Sequence, residues 1–421
     1  MQTAFPWTRP PAAQALHDIA SGITVTLSVG RDIVQTGQGH LATLAVCNIV
    51  GRLPVGLLVR AHDQASQDPL PPPYNGETLV AAVDELGTQL KRPLRIEEAG
   101  RATGLTVQIE AQSHRSRWQL ATRGWTAYMG ATPSSSTELY NPPAAYLLGC
   151  MLGGEVLRVW ARETAASGAG HAGASFSGRT RPAADRWVNL WAPGTATQGP
   201  HVDASGLPPI DWVGAGAVNQ ATLAVLAAIP GRAAEGRVID PKLLDLPDLN
   251  RSLLSFHEDV GQTKANVTAT RAADSGLSHK RGSYPYDVDP MPASWIVAGT
   301  DDVRVRSEIQ RLWPQRFVVT ATEGVFGYVA WHAPERPDLA CAGCVPSDEI
   351  EPEDRTPTSP PTSVAAGVVT AATLLRLAAG SQVPARTDIL TLRLDADHAL
   401  DGFDPVPTPG CATCATRLAA S

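Results

Sequence analysis

At 421 residues the chain is too long for one ordinary core, and domain sizes of roughly 100–200 residues divide it into two or three. Its net charge of -7 and pI of about 5.8 come without any basic stretch, which excludes a nucleic-acid footprint. The N-terminus lacks the basic-then-apolar pattern of a signal peptide, and apolar runs such as residues 144–156 are interrupted by Gly and Glu, so a cytoplasmic protein with no membrane partner is expected.

Residues 23–29 alternate β-branched residues and predict a strand, and 41–50 predict an apolar helix around Cys47. A buried strand is expected at 55–60, a helix at 78–91, and strands near 105–110 and 117–122. Asn141-Pro142-Pro143 opens a helix from Ala144 to about Trp160, since prolines suit the first helical turn. The Ala/Gly/Ser-rich residues 164–182 read as a flexible linker, with a last strand at 187–191. The second half restarts the pattern: a strand at 210–213, a tight turn, a helix at 220–229, and strands at 237–239, 295–298, 317–321 and 327–331. A helix at 364–379 and a strand at 388–394 follow. Alternating strands and helices predict an α/β fold, and the shared strand, Gly-containing turn and apolar helix predict a divergent duplication.

The turn after the strand at 210–213 reads Gly214-Ala215-Gly216-Ala217-Val218-Asn219. Small residues there let backbone N–H groups approach a phosphate at a helix N-terminus. Asp240 ends the next strand, where a carboxylate can accept from ribose hydroxyls. Arg251 and Lys264 follow; two fixed cations suit a triphosphate, and hydride-transfer enzymes have no use for them.

The run VIDPKLLDLPDLNR…DVGQTK, preceded by VGAGAVNQ and followed by GTDDVRVR, resembles the ThiF/E1-like (ubiquitin-activating-type) adenylating superfamily over residues 206–421. The resemblance implies two Rossmann-like adenylation-type domains. Residues 1–205 would form an inactive one and 206–421 the active one, with a crossover loop at 345–363. It places Gly214 and Gly216 in the nucleotide loop, Asp240 on the ribose, Arg251 and Lys264 on the phosphates, and Asp301 on Mg²⁺. The family commonly has Asn where this chain has Asp248 and Gln where it has Ser252. Asn219 stands at the third glycine, and Asn250 is the candidate to supply the missing amide. ATP and Mg²⁺ are the implied cofactors.

Of six cysteines, four form two CxxC pairs, Cys341/Cys344 and Cys411/Cys414, which predict a closed structural Zn²⁺ site. Cys47 and Cys150 read as inert core. The segment 345–363, where many superfamily members carry an acyl-accepting cysteine, has none. Either the reaction stops at the acyl-adenylate, or a hydroxyl, best Ser363 ahead of the helix, forms an oxyester. The reading placed first is activation of a bacterial ubiquitin-like protein, with an E2-like partner and a homodimer as the assembly. Adenylation of a small peptide for antibiotic synthesis is the alternative, and a nucleotide-binding scaffold pseudoenzyme the third.

Overall fold

A computed structural model describes residues 21–62, 70, 74, 78–92, 94–98, 104–112, 115–131, 139–166, 185–195, 197–230, 235–272, 277–282, 284, 293–336, 338–344, 358–380, 389–393, 400–403 and 405–417. The first half runs β1 (Thr24–Val29), α1 (Arg31–Val34), α2 (Gly37–Val50), β2 (Gly56–Ala61), α3 (Leu79–Gln89), β3 (Arg95–Glu98), β4 (Leu105–Glu110), β5 (Arg115–Arg123), β6 (Thr126–Gly130), α4 (Pro142–Ala166) and β7 (Arg186–Asn189). The second runs β8 (Ile210–Val213), α5 (Ala217–Ala227), β9 (Gly236–Ile239), two 3-10 turns, α6 (Lys264–Arg271), β10 (Leu277–Lys280), β11 (Trp295–Ala298), α7 (Val303–Arg311), β12 (Arg316–Glu323), β13 (Phe326–His332), α8 (Pro360–Ala378), β14 (Ile389–Arg393), β15 (Leu400–Phe403) and α9 (Ala412–Ala415). The linker expected at 164–182 is helical at its start, inside α4, and its remainder lies outside the described residues. Of the crossover loop 345–363, residues 345–357 lie outside them too.

Each half builds one sheet, and the strand orders match. The first is β3-β2-β1-β4-β5-β6-β7 and the second β10-β9-β8-β11-β12-β13-β14-β15. In both, the first three strands are parallel and the crossing to the fourth lies beside the first, as a duplication would leave them. One strand differs. β11 runs parallel to β8, reached through a crossover, whereas β4 runs antiparallel to β1. The next connections differ too: parallel β11 and β12 are joined through the helix α7, while antiparallel β4 and β5 form a hairpin. The first half thus has no strand end equivalent to that carrying Asp301.

Between the sheets lies a layer of helices in which α2 packs on α4, α4 on α8, and α8 on α5. Alternation along β11 sorts its side chains: Trp295 and Val297 join the large core beneath these helices, while Ile296 and Ala298 face the smaller outer cluster with Phe317 and Ile309. α4 and α8 are long and apolar enough to cross a membrane, but 89% of each candidate window is buried inside the protein, where they form this central layer. Close approach sets the residue choice. A Cβ on Gly153 would meet Pro361 Cγ at 2.6 Å, and one on Gly367 would lie 2.5 Å from Val218 O and 2.6 Å from Ala221 Cβ. Gly367→Ala should therefore separate α8 from α5 and cost about 1–3 kcal/mol. In urea titrations this would lower the midpoint with an unchanged slope; an unmoved midpoint would show that the layer has slack.

Candidate nucleotide site and cysteine cluster

The carboxyl ends of β8, β9 and β11 lie side by side, at the point where the strand order turns from β8 outward in both directions. This is where open α/β sheets hold ligands. Gly214 leaves β8 with φ +86°, a left-handed conformation, and its N–H donates to Ile239 O at 2.8 Å. A side chain there would press on Gly299 and Thr300, at 3.3 Å, so the loop rests directly on the turn that carries Asp301. Gly216 caps the N-terminus of α5, and apart from its own local backbone nothing among the described residues lies within 4 Å of where its Cβ would be.

Asp240 is buried and tied to this loop. One carboxylate oxygen accepts from Ala215 N–H and the other from Lys242 N–H, each at 2.7 Å. Each oxygen keeps a lone pair for a further donor. Asn219, expected only to replace a glycine, is fully buried and donates to the carbonyls of Val213 (3.1 Å) and Gly214 (2.7 Å). It fastens the loop from inside.

The two cations stand on the segment that folds back over β9. Lys264 begins α6, its N–H donating at 3.1 Å to the carbonyl of Lys242, two residues along the chain from Asp240. Its ammonium pairs with Asp248 at 2.8 Å, both side chains being largely buried. Asp248 also closes a reciprocal capping pair with Asp245 at the turn Leu246–Asn250. Arg251 caps that turn, half-buried, with its guanidinium 3.4 Å from Asn250 Oδ1. Asp301 is exposed past β11, and the next residue, Asp302, caps α7 by accepting from Arg304 and Val305 N–H. The structure thus brings Gly214, Gly216, Asp240, Lys264 and the Asp301 turn to one edge.

Two contributors escaped the sequence reading. Gln220 on α5 donates to Ala215 O at 3.1 Å and accepts from Leu254 N–H at 3.1 Å, joining the loop to the segment after Arg251. Arg52, at the end of α2 in the first half, is buried against that same segment. Gln220 closes the run VGAGAVNQ, which by itself gives it no role, and Arg52 lies in no recognisable spacing.

Ser363 stands elsewhere than expected. α8 begins at Pro360, and its N-cap is Ser359, whose hydroxyl accepts from Thr362 N–H. Two prolines fill the first turn, where missing N–H groups cost nothing. Ser363 is therefore inside the helix, 1% exposed, rather than ahead of it.

The four paired cysteines converge. Cys341 lies 3.6 Å from Cys344 and 3.5 Å from Cys411, and Cys344 lies 3.4 Å from Cys414, sulfur to sulfur. A tetrahedral ion with bonds of about 2.3 Å would set its sulfurs about 3.8 Å apart. Disulfides would need about 2.0 Å. The set can hold a metal ion. Burial raises the Cys344 thiol, but the Thr408 N–H and the neighbouring thiols outweigh it and bring it down to about 6. Burial and the surrounding thiols push Cys341 up. Cys47 is buried and raised to about 12 by desolvation, and Cys150 is raised likewise, as inert core cysteines are.

No protein-family model and no curated protein matches the chain. Solved structures similar to it include E. coli MccB with ATP, at 16% identity and a TM-score of 0.41, covering 49% of this chain and 67% of that one. E. coli MccB with succinimide gives 12% identity and a TM-score of 0.43, over 70% of this chain and 97% of that one. The microcin C7 biosynthetic enzyme MccB in complex with N-formylated MccA gives 14% identity and 0.42, again over 70% and 97%.

Proposed function

We propose that the chain is a ThiF/E1-like adenylating enzyme, which uses Mg·ATP to activate a C-terminal carboxylate as its acyl-adenylate. The observation that carries this reading is the meeting of the Gly214–Gly216 loop, Asp240 and the Asp301 turn at the adjoining carboxyl ends of β8, β9 and β11, with Lys264 anchored beside them. In this reading Asp240 accepts from a ribose hydroxyl, and the loop amides and the α5 N-terminus face phosphate oxygens. Arg251 and Lys264 offset charge, and the Asn250 amide donates a hydrogen bond, as a substrate carboxylate oxygen bonds to the α-phosphorus. The bond from that phosphorus to the bridging oxygen breaks, and pyrophosphate leaves with the electron pair. Asp301 would hold Mg²⁺, which lowers the repulsion between the two anions. The cysteine cluster would hold Zn²⁺ as a structural ion, and the first half would act as the inactive partner domain.

On substrate, the order given by the sequence reading reverses. Residues 345–363 contain no cysteine and Ser363 is enclosed in α8, so this reading stops at the adenylate. A small peptide, whose acceptor can lie within the substrate itself, fits that end point first. A ubiquitin-like protein with an E2-like acceptor is the second reading, favoured by the paired halves.

ATP–pyrophosphate exchange tests the proposal, run with a synthetic peptide or a carrier protein bearing a free C-terminus, and with Asp301→Asn as the control. Exchange that needs the free carboxylate and fails in the variant supports it. Tight NAD binding without ATP binding would sink it, and ATP binding with no exchange on either substrate class would favour a scaffold. The Asp248 carboxylate beside Lys264 subtracts from the positive field that a triphosphate would meet. Asp248→Asn keeps an acceptor for Asp245 N–H and should tighten Mg·ATP roughly threefold to tenfold. Calorimetric titration reads the shift, and weaker binding would mean that Asp248 itself serves the nucleotide.

A further inference from the structure

Arg52 comes from the first half, yet among the described residues all its hydrogen-bond acceptors but one lie in the second. Its guanidinium donates to Leu249 O, to Ser255 O at 3.2 Å and to Leu253 O at 3.2 Å, and its Nε donates to Asn48 Oδ1 at 2.9 Å. Asn48 backs this by donating to Leu253 O and to Tyr74 Oη. The centroid of the Phe256 ring lies 5.4 Å from the guanidinium carbon of Arg52 and 5.1 Å from that of Arg271. Arg52 is 5% exposed, and its acceptors among the described residues are all neutral carbonyls, with no carboxylate there to offset the desolvated charge. Stability alone is a poor reason to bury a charge in that way.

The position of the carbonyls explains it. They flank Asn250 and Arg251, and the amide and hydroxyl of the same stretch, Leu254 N and Ser255 Oγ, are held by Gln220, which reaches Ala215 O in the nucleotide loop. One hydrogen-bonded chain thus runs from α2 of the first half to the loop against Asp240.

We infer that Arg52 is a positioning residue: by gathering the carbonyls of residues 249–255 it sets Asn250 and Arg251 over the nucleotide site, so the first half contributes to ATP binding without touching ATP. This deepens the adenylating reading and rests on it. Guanidinium geometry matters here, because a planar fork reaches several carbonyls at once and an ammonium does so less rigidly.

The test uses the full chain with Arg52→Met and, because methionine leaves buried carbonyls unpaired and can prevent folding, Arg52→Lys as well. Two readouts are taken: Mg·ATP affinity by calorimetry, and amide hydrogen exchange over residues 246–263. Arg52→Lys is expected to weaken Mg·ATP about tenfold or more and to speed exchange in 246–263 while the strands of the first sheet stay protected. A purely structural role would instead speed exchange throughout. Binding within twofold of wild type, or unchanged exchange in 246–263, overturns the inference. Should the wild-type chain bind no ATP, the adenylating reading fails on that result. The exchange of 246–263 then still decides whether Arg52 orders the segment.

Discussion

Asp240→Ala is expected to lose at least a hundredfold in Mg·ATP affinity, about 2.7 kcal/mol, and to lower the thermal midpoint as well. Two effects add. The carboxylate would no longer meet ribose hydroxyls, and Ala215 and Lys242 N–H, each held at 2.7 Å, would lose their acceptor. Hydrogen bonds to a charged group contribute roughly 1.5–3 kcal/mol apiece. Asp240→Asn separates the two. An amide presents one oxygen and one NH₂, so it can accept from only one of the two N–H groups and sets a donor against the other. It should bind between wild type and alanine, with most of the stability loss. Calorimetric titration beside a thermal melt reads both quantities, and an alanine variant that binds ATP within threefold of wild type would remove Asp240 from the site.

The second large effect is expected from the cysteine cluster. The purified chain should carry one zinc per chain by elemental analysis, and Cys344→Ser or a strong chelator should release the C-terminal segment. The reasoning starts from what else holds that segment. Arg417 stacks over Trp313 at 4.2 Å and donates to Arg336 O and Leu339 O, while Trp313 Nε1 donates to Thr416 Oγ1 at 3.1 Å. These contacts are few, and structural zinc in small peptides contributes on the order of 10 kcal/mol. Loss of the ion should therefore raise hydrogen exchange over 405–417 far more than over the sheets. Absence of metal from protein purified without chelators, with a thermal midpoint untouched by Cys344→Ser, would count against a metal at these sulfurs.

Much of the fold was legible because its central strands are apolar and β-branched. β1 and β11 fall where alternation and burial put them. What stayed hidden was polar or directional. β3 reads Arg-Ile-Glu-Glu, an edge strand with little apolar signal, and α6 and α7 are short outer helices with mostly polar surfaces. The reversal of β4 leaves no trace in alternation, which is the same in either direction. α8 starts at Pro360, four residues before the expected Val364, because Pro360 and Pro361 suit a helix's first turn. The site divides likewise. Gly214, Asp240 and the paired cysteines stand in spacings with a chemical reason. Gln220 and Arg52 act through long-range carbonyl contacts, and the pairing of Lys264 with Asp248 depends on how the intervening turn folds.

The helix layer shared by the two halves has a consequence for how the protein responds to dilution. Two separate chains meeting across such a layer would come apart as their concentration fell, and any site built across the junction would go with them. Here both sides of the junction belong to one polypeptide, so each meets the other at a local concentration that its surroundings do not alter. Contacts such as Arg52 to Leu253 therefore form at any copy number in the cell. The two sides are also free to diverge, because a change in one is no longer mirrored in the other.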